Sequence, residues 1–194
     1  MTNQESLDLI TRMIRDTQDR FERGAGKPFL IWGYTTVAVS LAVWCALKMT
    51  ANHQWNWLWF TIPIIGSILI LLTRNKGPKM VTTFIDRAIW QTWMVLGVCA
   101  IGVALYALFS WQYIPTLVII AMLMFAGEAI TGGIIKLSYI KIMGLIGIIL
   151  SFGLSFLQGA DQILGFGGLF LIAMIIPGHI MNNQARKRNT AKKP

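Results

Sequence analysis

Six apolar stretches, each close to twenty residues long, constrain this chain more than any other feature: 29–48, 55–73, 89–109, 114–133, 138–157 and 163–181. A helix rises about 1.5 Å per residue, so each stretch can cross a hydrocarbon core of roughly 30 Å. Inside that core every backbone N–H and C=O must find a partner within the protein, and a helix pairs them all within one segment. The expected fold is therefore all-α: a polytopic membrane protein with six transmembrane helices. Composition agrees, because 55% of the 194 residues are hydrophobic and 13% are charged, against about 25% charged in a soluble domain. One helical bundle over 28–182 accounts for most of the length, between a polar segment 1–27 and a basic tail 183–194.

The basic residues then set the topology. Arg12, Arg15, Arg20, Arg23 and Lys27 precede the first span, and Arg74, Lys76, Lys79 and Arg87 separate the second from the third. Lys136 and Lys141 flank the connection between spans four and five, and Arg186, Lys187, Arg188, Lys192 and Lys193 follow the sixth. Only Lys48 falls on the opposite side. Positive residues are retained on the cytoplasmic side, so both termini are expected there. The same bias accounts for the net charge of +9 without a nucleic-acid partner. The N-terminal segment has no early apolar core, so the first span is expected to be an uncleaved anchor.

Residues 4–23 read as an amphipathic helix, with Leu7, Ile10, Ile14, Thr17 and Phe21 at 3-4 spacing and charges opposite. Pairs such as Asp8–Arg12 and Asp16–Arg20 stabilise it by a few tenths of a kcal/mol each. Its near-neutral polar face differs from the Lys/Arg-rich face of a strong lipid binder. The open readings are packing beneath the bundle, docking of a protein partner through Leu7, Ile10, Ile14 and Phe21, and a position on the membrane surface. Gly24 to Pro28 is expected to act as a hinge, because the phosphate-loop pattern is incomplete there.

Among the six stretches, 114–133 is distinguished by a central ionisable residue, Glu128. A carboxylate within a span costs about 2.5–3.5 kcal/mol on insertion scales and calls for a partner. Lys141, Tyr139 and His179 are the candidate partners. Three roles are open to Glu128: a structural pair, a proton- or cation-coupling group, and a contact to a regulatory ligand. The fifth span carries small residues every four positions, Gly147, Ser151, Ser155 and Gly159, a stripe that lets another helix approach closely, in this chain or in a second copy. Short outer turns predict hairpins of spans 1–2, 3–4 and 5–6. Pro63 is placed inside the second span, and Pro177-Gly178-His179 is expected to loosen the last one ahead of a disordered tail. Trp55, Trp57 and Trp59 are expected in an interfacial belt.

Chemistry of other kinds lacks a signature. Cys45 and Cys99 have no metal-site spacing and read as buried apolar cysteines at different depths. There is no HExxH and no G-x-S-x-G turn with histidine partners, so neither an enzyme nor a cofactor is expected.

The segment ESLDLITRMIRDTQDRFERGAGKPF running into LIWGYTTVAVSLAVW, over residues 5–44, resembles a group of uncharacterised small multi-pass bacterial inner-membrane proteins. That resemblance implies a bacterial inner-membrane location and, because such proteins often accompany small winged-helix regulators, a sensing or regulatory circuit. It supplies no active-site residues. The expected function is a non-enzymatic regulatory or interaction component of the membrane, the alternative being a small transporter or channel that works through Glu128.

Overall fold

The computed structural model describes residues 4, 6–9, 11–13, 26–73, 84–110 and 114–191, with 184–191 as backbone only. Among these the regular structure is helical, and six helical segments are long and apolar enough to cross a membrane. They are α1 (Gly26–Thr50); a 3₁₀ turn (His53–Phe60) running into α2 (Thr61–Thr73); α3 (Phe84–Phe109); α4 (Thr116–Ile134); α5 (Ser138–Gly153) with a 3₁₀ extension (Leu154–Phe156); and α6 (Ala160–Phe170) joined by a π-helical turn (Leu171–Ile175) to α7 (Ile176–Ala191). Of the N-terminal helix, Leu7 lies within the described residues, whereas Ile10, Ile14 and Phe21 lie outside them.

Two antiparallel seams form the bundle. In the first, α4 and α5 meet backbone to backbone. Gly132 lies against the Lys141 backbone, Gly144 against Ala129, and Gly147 beneath the Phe125 ring. Without water to drive apolar burial, helices in lipid associate through such close packing, which glycine permits. In the second seam, α1 runs antiparallel to α6 and α7. Gly26 meets Gly178 and Asn182, Gly33 meets Ile175, and Ser40 meets Gly167. Aromatic rings join the two seams, with Phe125 and Phe170 centroids 5.2 Å apart and Phe166 and Phe170 4.8 Å apart. α2 packs on α1, where Trp32 covers Gly66, and α3 packs on α4.

Several local expectations change. The dominant pairings are spans four with five and one with six, while α5 and α6 touch little despite their short connection. Pro63 lies inside the second span, His53–Thr73, as expected, and falls in the first turn of α2, where the preceding 3₁₀ turn passes into α-helix. Pro28 likewise sits in the first turn of α1, so the proposed hinge is already helical from Gly26. The last helix loosens into a π-turn just before Pro177, as expected, but it does not stop there. The Ile176 N–H reaches back five residues to the Leu171 carbonyl, and this π-turn absorbs the proline while the helix continues to Ala191. The backbone through the expected disordered tail is thus helical up to that point. Cys45 and Cys99 are exposed on helix surfaces, not buried. Trp55 and Trp57 are exposed at the 3₁₀ turn, whereas Trp59 turns inward to meet Phe166 edge-on.

Candidate functional site

α4 presents three buried faces, and its sequence sets them by helical phase. Phe125, Ala129 and Gly132 face α5, and Gly127 and Thr131 face α3. Between these faces runs a heptad stripe, Ala121, Glu128 and Ile135, each at 0% exposure. Residues seven apart share one side of a helix, so the single ionisable residue of this span occupies the middle of its deepest stripe. Counting along the helix, Glu128 lies ~18 Å from the Thr116 end and ~9 Å from the Ile134 end.

Neither carboxylate oxygen of Glu128 accepts a hydrogen bond within the described structure. The pairing expected with Lys141, Tyr139 or His179 is therefore not formed. The geometry explains two of the three. The Lys141 backbone sits against Gly132, a full turn beyond Glu128, and its side chain is exposed. His179 bonds instead to the Tyr34 hydroxyl at 2.8 Å, on the outer surface of the second seam. Tyr139 does not reach the carboxylate, although it sits half-buried at the start of α5.

The polar groups nearest in sequence satisfy one another. Thr131 Oγ1 donates to the Gly127 carbonyl at 2.7 Å and accepts from Trp93 Nε1 at 3.1 Å. This Trp93–Thr131 bond ties α3 to α4 and was not anticipated, because no spacing rule relates positions so far apart on different helices. Among the described residues no group of three His, Cys, Asp or Glu side chains is placed to hold a metal ion.

The stripe on α5 is half correct. Gly147 and Ser151 are buried against α4, and Ser151 Oγ donates to the Gly147 carbonyl. Ser155 and Gly159 are exposed, because α5 tightens to a 3₁₀ turn at Leu154 and the four-residue phase is lost. The buried stripe continues the other way, through Gly144 and Ile140. Its buried part is thus filled by α4 of the same chain. Comparison with protein-family models, with curated proteins and with solved structures finds no match, so the resemblance over residues 5–44 gains no support from them.

Proposed function

We propose that this chain is a small transporter or channel of the bacterial inner membrane, with both termini cytoplasmic, in which Glu128 is the proton- or cation-coupling group. The observation that carries this reading is the Glu128 carboxyl, wholly buried and without a hydrogen-bond partner in the described structure. An unpaired charge in such a place is destabilising by several kcal/mol. A bound proton or cation removes that penalty, so occupancy of the carboxyl is coupled to how tightly the surrounding helices close. The neighbour best suited to respond is α3, which contributes no buried residue of its own. The inward-facing termini rest on the one-sided distribution of Lys and Arg. No catalysis is proposed.

The test is proton and monovalent-cation flux in proteoliposomes, wild type beside Glu128→Gln. Flux lost in the variant, with the fold retained by circular dichroism, is the expected result. Equal flux in both would refute the role of Glu128.

One observation favours a second reading, a regulatory or interaction component that docks a partner protein. Leu7 and Leu9, on helical backbone, are 63% and 50% exposed. Replacing Leu7, Ile10 and Ile14 by serine then abolishes capture of the partner while leaving flux unchanged. If partner capture survived the triple change, this reading would fall.

A further inference from the structure

We propose that the basic end of the seam between α1 and α7 binds the headgroup of an anionic phospholipid. This inference is independent of Glu128.

The starting observation is a polar pair on a surface that faces the bilayer. Tyr34, 52% exposed, and His179, also exposed, are hydrogen-bonded at 2.8 Å with their rings edge to face. Whichever tautomer the imidazole adopts, one donor is left pointing away from the pair. If the Tyr34 hydroxyl donates to Nε2, the N–H at Nδ1 is free; if Nε2–H donates to Tyr34, the hydroxyl hydrogen is free.

Lys27 brings a charge to the same place. It is exposed and precedes Tyr34 by seven residues, two turns along one face of α1. The Tyr34 side chain tilts back toward the start of its helix, and thus toward Lys27. On the other helix, Gly178 packs against Phe29 and Leu30, so His179 comes level with the first turn of α1. That leaves roughly 3–5 Å along the axis between the levels of His179 and Lys27. An ammonium group, an imidazole and a phenol therefore share one end of one seam, and all three can donate to phosphate oxygens. The backbone of α7 runs on from this point through Arg186, Lys187 and Arg188.

The adjoining surface selects a lipid over a free phosphate. Leu41 follows Tyr34 on the same face of α1, and Ile176 precedes His179 by three residues, close to one turn of the last helix; both are exposed. Apolar side chains thus continue from the polar cluster toward mid-membrane, where acyl chains would lie. Basic residues near a membrane surface favour anionic headgroups by an amount equivalent to about fivefold in binding per charge.

The experiment is native mass spectrometry of the full chain, titrated with phosphatidylglycerol or with phosphatidylcholine of the same acyl chains. The expected result is one phosphatidylglycerol retained in preference to phosphatidylcholine, undisturbed by excess inorganic phosphate. Lys27→Gln, at an exposed first-turn position, should weaken it about fivefold, and Tyr34→Phe combined with Lys27→Gln should weaken it further. Lys48→Gln, at the other end of α1, should leave it unchanged. Equal retention of both lipids would overturn the proposal, as would displacement by inorganic phosphate. So would folded Lys27→Gln protein that keeps its preference while replacing Arg186, Lys187 and Arg188 by glutamine removes it; the tail would then be the lipid site.

Discussion

On one face of α4 the neighbouring helix is met through the main chain, and on another it is met only through side chains. Toward α5, a methyl group added at Gly144 would strike the backbone of Ala129 and the Phe125 carbonyl. Toward α3, a methyl added at Gly127 would meet the tip of Leu96 at 2.8 Å and the Trp93 ring at 3.4 Å. Both glycines are buried, and from sequence they are equivalent small residues in apolar helices. What differs is the freedom of the atoms opposite. A leucine methyl can rotate away, whereas a helix backbone can yield only by moving the whole helix. The α4–α5 seam is thus the rigid part of this half of the bundle, and the α3–α4 contact is the adaptable part. Glu128 lies between the two.

The most damaging change should be Gly144→Leu, which forces α5 off α4. A loss of more than ~3 kcal/mol, the upper range for overpacking, is expected in reversible unfolding from mixed micelles. A near-neutral result would mean that the seam is not packed as described.

Next in size, Glu128→Leu removes a buried carboxyl that has no partner in the described structure. It should stabilise the fold by at most about 2.5–3.5 kcal/mol, the cost of a charged residue on insertion scales, while abolishing any flux that depends on Glu128. A destabilised leucine variant would instead point to a bonding role for the carboxyl in the folded state.

The contrast between the two faces is sharpened by alanine at each glycine. Gly144→Ala should cost about 1–3 kcal/mol and Gly127→Ala less than about 1 kcal/mol, because only the second clash is with a mobile side-chain tip. Equal costs measured in the same micelle assay would remove the distinction.

The smallest effect is expected at the polar link. Thr131→Val removes the acceptor of Trp93 Nε1 and should cost about 0.6 kcal/mol, the average for interhelical hydrogen bonds in a membrane protein. Trp93 fluorescence should shift as the indole loses its partner. An unchanged spectrum would show that the bond contributes nothing to the position of α3.

Hydropathy and charge made the number of spans legible, since both depend on local composition alone. Glu128 stood out for the same reason: an acid within an apolar run is visible without knowing its neighbours. Its surroundings were not visible. Sequence proximity suggested Lys141 and Tyr139, and the shared membrane boundary suggested His179, yet the phase of α5 turns the Lys141 side chain outward and His179 is taken by Tyr34. The small-residue stripe was readable only as far as the helix stayed regular. Once Leu154 begins a 3₁₀ turn, Ser155 and Gly159 no longer share the face of Gly147 and Ser151.

Length, apolar content and the one-sided placement of Lys and Arg thus determined that this chain forms six helices suited to a bilayer, because the cost of unpaired backbone in lipid leaves so few alternatives. Which helices touch was decided by the tertiary structure. Spans one and six, at opposite ends of the chain, form a principal seam, and a π-turn keeps the last helix on course past Pro177. Those choices depend on how side-chain shapes and backbone glycines fit across the bundle, and no local pattern of hydropathy records that fit.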